Sequence, residues 1–435
     1  MNQIYIFSEK RSNRLVYMAR TIADRLGVLV EITSDNDILV TDDKAVINYS
    51  NIEAGKLQIT PAGLLFEKRI QDQELAVSKT GGVSLLYSNR DTLLGHDVIA
   101  ACFYLLSRYE EYLPHRKDDH GRFASTSSVL SEIASIQTPL VDIYLKRLKN
   151  ALQEIYPWLI MRNEAFRIEV TVDVDQLFLY ESKGIARSII GTMKDSLINT
   201  KSLVRRLDVN LGGKQDPLNI YHALISKVGA FGINPRFFFQ VGEPSRFDSN
   251  NPVHLPKVHD LINEISLRAD IGLHPSYFSS DNHETLLLEH ERLKKVTNQE
   301  VQHSRQHYLK FELPKTYRWL ENEGITHDYS MGFADANGFR AGTAVPFKFY
   351  DLGREESTGL TIHPLIFMDM LTVRKYSNEV DSRTELDTIT NAIKENGGLL
   401  NTTWHPEVLI GFDVPQASDG LLDYCLETYS HVTPE

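Results

Sequence analysis

Cysteine is scarce in this chain of 435 residues: Cys102 and Cys425 are the two. They lie far apart in apolar contexts, which excludes a disulfide framework and a cysteine-based zinc site. Positive charge is in deficit as well. Forty-six basic against 58 acidic side chains leave a formal net charge of −12, and with no basic field to displace counterions a nucleic-acid partner is excluded. Long hydrophobic runs are missing. The longest uncharged apolar run, Val98 to Leu106, has nine residues, against about 20 needed to span a bilayer. Met1 to Arg11 carries no secretory apolar core, and no internal repeat or low-complexity tract occurs. The expectation is a soluble, cytoplasmic protein with no membrane span.

What is present is an ordinary globular composition, 42% hydrophobic and 24% charged. The fold class expected is α/β, in two parts that meet near Pro157-Trp158: a smaller N-terminal α/β domain over 1–157 and a strand–helix barrel over 158–435. In the first part, strands are predicted at Gln3–Phe7 and Ala45–Tyr49. Helices are predicted over Leu15–Leu26, Asp97–Tyr112 and Val141–Tyr156, with a hairpin at Leu57–Phe66. No catalytic constellation is legible there, although His115 to Arg122 is a strongly polar stretch. From Arg167 onward, strands alternate with long helices, the pattern of a parallel sheet whose active residues sit at strand C-termini. Asp173, His274 and His405 all fall at such positions.

Arg167 to Gln176 reads Arg-Ile-Glu-Val-Thr-Val-Asp-Val-Asp-Gln. Apolar residues alternate, so Thr171, Asp173 and Asp175 share one face of a strand. Two carboxylates side by side are tolerable if a cation separates them or one holds a proton; the plain alternative is a solvated strand end. His274 precedes Pro275, which would hold its imidazole at the rim, as a metal ligand or as a histidine bonded to backbone. Ser304-Arg305-Gln306-His307-Tyr308 packs a fixed cation, an imidazole and a phenol into one short stretch, or is simply a charged loop. Gly338-Phe339-Arg340-Ala341-Gly342 suggests a close backbone approach around an arginine, or a tight turn. His405 follows Trp404, whose indole could stack on a sugar ring. It is a general-acid candidate or a structural histidine.

The ordered set resembles the polysaccharide deacetylase family, the NodB-type enzymes of carbohydrate esterase family 4, in a divergent bacterial form. The family's Thr-Phe-Asp-Asp-Gly is similar to Thr171-Val172-Asp173-Val174-Asp175, with one residue inserted. Its His-Ser/Thr-x-x-His is similar to His274-Pro275-Ser276-Tyr277-Phe278, where the second histidine is replaced by Phe278. Its Arg-Pro-Pro-Tyr is similar to Arg305-Gln306-His307-Tyr308, and a late histidine matches His405. The resemblance covers about residues 160 to 430. It implies a distorted (β/α)7-type barrel and metal-assisted removal of acetyl groups, N-acetyl above all, from a cell-envelope or capsular polysaccharide. By position, Asp173 would be the base, Arg305 its partner and His405 the acid. Asp175 and His274 would hold a divalent metal, zinc by ligand chemistry. His307 stands in as third ligand, with His283 and His303 as weaker candidates. Tyr308, Arg340 and Trp404 would bind the acetylated glycan. Two other readings stay open: a metal-free hydrolase of a C–N bond on the same scaffold, and a silent barrel that binds glycan or a partner protein.

Overall fold

The computed structural model describes residues 2–183, 200–412 and 420–430. The chain opens with a parallel four-stranded sheet of order β2-β1-β3-β4, made of β1 (Gln3–Phe7), β2 (Leu29–Thr33), β3 (Ala45–Asn48) and β4 (Leu57–Gln58). The helix Asn13–Leu26 joins the first two strands. Ser12 caps its start by accepting from the Leu15 amide, and Gly27 ends it in the left-handed conformation that glycine adopts most cheaply. No hairpin forms at Leu57–Phe66. After β4 the chain makes a single 3-10 turn, Leu64–Phe66, because the Ala62 amide is drawn to the buried Asp97 carboxylate at 2.8 Å. The hairpin lies further on, between β5 (Val77–Thr80) and β6 (Val83–Leu86).

The helix expected over Asp97–Tyr112 ends early, spanning Val98–Leu106. Arg108 adopts a left-handed backbone (φ 53°) and breaks it, leaving a 3-10 turn at Tyr109–Tyr112. That break turns the buried Arg108 guanidinium onto Glu110 and Glu111, each at 2.7 Å. Arg340, from far along the chain, binds the same Glu111 through two nitrogens at 2.9 and 2.7 Å. Burial alone would raise Glu111, but the two guanidiniums outweigh it and hold the carboxyl at about 2. The glycines around Arg340 have the same origin. A Cβ on Gly338 would stand 2.4 Å from the Ile136 carbonyl, and one on Gly342 would stand 2.9 Å from Leu105. Arg340 is therefore a buried tie between the N-terminal region and the second sheet.

The second sheet has nine strands: β7 (Phe166–Val174), β8 (Arg236–Phe239), β9 (Asp270–Leu273), β10 (His303–Ser304), β11 (His327–Asp328), β12 (Phe347–Asp351), β13 (Glu356–Ile362), β14 (Phe367–Met368) and β15 (Gly398–Trp404). Their order is β12-β13-β11-β10-β9-β8-β7-β15-β14, and every pair is parallel except β12 with β13. One segment touches both flanks. β13 pairs with β11, then the Leu365 amide bonds Met331 and the Ile366 amide bonds Asn401 before β14 pairs with β15. Helices Pro256–Ser266, His283–Thr297, Lys315–Asn322 and Glu379–Asn396 connect the strands. Buried apolar residues of both regions form one continuous cluster, from Ile4 and Phe103 to Tyr350 and Leu400. Among the described residues no helix is long and apolar enough to cross a membrane.

Removing one partner of a buried ion pair is far more costly than never having built it. Arg340→Ala leaves Glu111 buried with Arg108 as its one cation, and should cost about 3 kcal/mol of stability in urea unfolding. A loss below about 1 kcal/mol, the range of an exposed pair, would contradict this placement.

Candidate metal centre

Parallel strands present their C-terminal ends at one edge of a sheet, and four of those ends converge here. β7 runs into Asp175, β9 into His274, β10 into Arg305 and the turn His307–Leu309, and β15 into His405. Asp173, Asp175, His274, His307 and His405 together line a cavity of about 220 Å³. Tyr308 also borders it. Trp404 is buried instead, its indole Nε1 donating to Thr402 at 2.9 Å, so the expected sugar-stacking wall is not supplied by that ring.

One oxygen of Asp175 and a ring nitrogen of each of His274 and His307 lie within 4.8 Å of one another. Asp175 Oδ1 stands 3.2 Å from His274 Nε2 and 3.4 Å from His307 Nε2. That oxygen is buried and has no aligned hydrogen-bond partner. The other ring nitrogens are committed. His274 Nδ1 faces the Arg305 carbonyl at 2.6 Å, which can only accept, and so carries a proton. His307 Nδ1 faces Asp248 Oδ1 at 2.9 Å and the Gln240 amide nitrogen at 2.8 Å. Asp248 also accepts from Gln240 Nε2, the Tyr277 amide and Ser245 Oγ. Burial would raise Asp248, but its bonds to His307, the Ser245 hydroxyl and the Tyr277 amide hold it below the usual carboxylate range. His274 Nε2 therefore offers a lone pair toward the carboxylate oxygen unless it takes a second proton, and His307 Nε2 does the same in the tautomer that donates from Nδ1 to Asp248. A divalent cation satisfies all three atoms, and imidazoles anchored through the far nitrogen are how such ligands are oriented. In the metal-free protein, burial pulls His307 down but Asp175 and Asp248 outweigh it, raising the imidazole to about 9.

Phe278 is 43% exposed and packs against Phe247 and Tyr277, outside this group. His283 stacks on Trp319 and pairs with Glu323, while His303 stacks on His327, so neither joins the ligands.

A pair of buried ionic contacts flanks the three. The Arg305 guanidinium, wholly buried, bonds Asp173 Oδ1 at 2.9 Å, Thr171 Oγ1 at 2.7 Å and the Tyr329 carbonyl at 3.2 Å. It also lies over the Phe238 ring. On the other side, Asp369 holds His405 twice, through Nδ1 at 2.6 Å and through its backbone amide at 2.8 Å. Burial would lower the His405 imidazole, but Asp369, with Asp175 and Asp173 beyond it, raises it to about 10. β7 and β15 are paired neighbours, Val172 beside Trp404, so the Asp173 and His405 ends are adjacent.

Residues 4–157 match a family of unknown function, DUF7033. A search of the curated proteins finds no match. Among solved structures, the chain is similar to one from Mycobacterium smegmatis described as a candidate polysaccharide deacetylase, at 15% identity and a TM-score of 0.39, over 62% of this chain and 86% of that one. At that distance the chemistry has to be argued from the side chains of this protein.

Asp369 and Asp248 anchor the ring nitrogens, yet neither was singled out in the sequence. β14 before Asp369 is two residues long, too short for an alternating pattern, and Asp248 lies in a loop. The legible signal at Asp248 was Ser245 three residues earlier, whose hydroxyl bonds it.

A histidine whose folded pKa is raised keeps its proton through the neutral range and gives it up only as pH climbs toward the folded value. In metal-free protein the His405 ring resonances should stay in the protonated position at pH 7 and move only toward pH 10. A titration centred near the ordinary value of about 6.5 would contradict the Asp369 pairing.

Proposed function

We propose that this chain is a metal-dependent hydrolase that removes acetyl groups, N-acetyl in particular, from a cell-envelope or capsular polysaccharide. The observation that carries the reading is the Asp175–His274–His307 set, with both Nε2 atoms turned toward one unsatisfied carboxylate oxygen. The same reading takes the second sheet as a distorted (β/α)7 barrel. Counting β13 and β14 as one strand and setting aside the antiparallel β12, the nine strands become seven parallel ones around the site. The hydrogen bonds of Leu365 and Ile366 to the two flanks support that closure.

Asp175, His274 and His307 would hold the ion, and zinc suits a carboxylate with two neutral imidazoles. A bound divalent ion supplies Lewis-acid polarisation of the acetyl carbonyl and a more acidic water. The protein's own groups carry the protons. Asp173 accepts one from the attacking water as the new C–O bond forms, and Arg305 stabilises its charge throughout. His405, oriented by Asp369, gives its proton to the sugar nitrogen as the C–N bond breaks, so that acetate and a free amine leave. Base and acid come from adjacent strand ends on two sides of one small cavity. Acyl transfer uses such an arrangement, with a base on the water side and an acid on the leaving-group side. Tyr308 forms part of the wall against which the sugar packs.

General acid–base groups contribute about 10²–10⁴-fold each. Asp173→Asn and His405→Ala should lower kcat on acetylated oligosaccharides by about that factor at matched zinc, with KM changing little. Acetate release by both variants at the wild-type rate would refute the mechanism, and no release by metal-loaded wild type would refute the function.

A further inference from the structure

The polar stretch His115 to Arg122 belongs to the N-terminal region, yet it ends up against the metal centre. We propose that this region is part of the centre: Arg122, and the turn that carries it, position the ligand His307 by holding the left-handed backbone that follows it. The inference rests on the Asp175–His274–His307 reading.

The turn is rigid in itself. Lys117 and Phe123 bridge its base, and Asp118 Oδ1 accepts from the amides of His120 and Arg122, both at 2.9 Å. Asp118 Oδ2 binds the Arg122 side chain at 2.7 Å. From that fixed base, Arg122 Nη1 donates to the Tyr308 carbonyl at 2.5 Å, across 186 residues of chain. The contact falls where the backbone most needs one. Tyr308 (φ 61°) and Leu309 (φ 50°) are consecutive non-glycine residues in the left-handed region, directly after His307. L-residues adopt that region singly and at a cost, so two in succession persist only where surrounding groups hold them. His120 closes the same turn from the side. Its Nδ1 meets the Tyr277 hydroxyl at 3.0 Å, and its ring packs on Tyr308 and Phe247.

His307 is thereby held at its ring and at the backbone that follows it, besides the bond of its own amide to the Pro275 carbonyl. Asp248 holds its Nδ1, and Arg122 holds the carbonyl of the next residue. If the second hold is lost, the turn can relax toward ordinary backbone angles and carry Nε2 away from Asp175. Arg122 is thus a positioning residue, and metal affinity is the property it controls. Partners one shell removed from a metal typically change affinity by about 10–100-fold.

The test is zinc affinity of the full chain, measured by competition with a chromogenic chelator so that no turnover is needed. Arg122→Ala should weaken zinc by about 10–100-fold, and Arg122→Lys, which keeps a donor, by less. Tyr308→Gly in the Arg122→Ala background should restore much of the loss, because glycine takes the left-handed backbone unaided. That double variant decides the matter even if Arg122→Ala also lowers the melting temperature; failure to recover overturns the proposal. Wild type and Arg122→Ala binding zinc equally tightly overturn it too. A wild type that binds no zinc overturns both this inference and the metal reading. Wild type that binds zinc but releases no acetate refutes the deacetylase and leaves the role of Arg122 standing.

Discussion

Three potential ligand atoms facing one another are the constraint around which this protein is organised. Asp175 Oδ1 has no aligned hydrogen bond, and the two imidazole nitrogens nearest it cannot both serve as neutral donors, because their protons are committed elsewhere. With both Nε2 atoms unprotonated the arrangement is repulsive, and a buried carboxylate oxygen without a partner costs about 1–3 kcal/mol or more. Burial would raise Asp175, yet the imidazoles hold it well below the usual carboxylate range. Extra protons can relieve the strain in the absence of metal. A divalent cation relieves it with the ligand types and tautomers already in place, and would release those protons as it binds.

The rest of the architecture keeps those atoms from drifting apart. The parallel order of the second sheet brings the ends of β7, β9, β10 and β15 to one edge, so residues far apart in the chain meet there. Below the ligands the sheet carries a polar filling. Arg305 is buried against Asp173, Thr171 and the Phe238 ring, and a guanidinium so placed cannot leave without stranding the carboxylate. At the rim the turn after His307 holds two left-handed residues, worth about 1–2 kcal/mol of strain each. Contacts from the N-terminal region offset that strain. The Arg108–Glu111–Arg340 network fastens the same region to the loop ahead of β12. Ligand geometry and inter-region packing are therefore one problem rather than two.

Much of this was legible in the chain itself. The alternation from Ile168 to Val174 placed Thr171, Asp173 and Asp175 on one face, and the hydrogen bonds of Arg305 to Thr171 and Asp173 agree. His307 as a substitute ligand followed from Phe278 standing where a histidine was expected, and it lies with Asp175 and His274. What failed were residues whose purpose depends on distant packing. Gly338 and Gly342 did signal a close approach, but the approaching groups are Ile136 and Leu105 of the same chain. Trp404 looked like a sugar platform because period two hides which face of β15 is buried. Arg108 broke a helix that its apolar spacing favoured, since an ion-pair network outweighs local propensity. Asp369 and Asp248 gave no periodic signal, being second partners recognisable only once the histidines they hold are in place.

The central claim is that one metal ion sits among Asp175, His274 and His307, and diffraction tests it most directly. Crystals grown with zinc and measured on both sides of its absorption edge should show an anomalous peak about 2.0–2.2 Å from Asp175 Oδ1 and from both Nε2 atoms. A peak at other residues, or none beside these three at saturating zinc, would contradict the account.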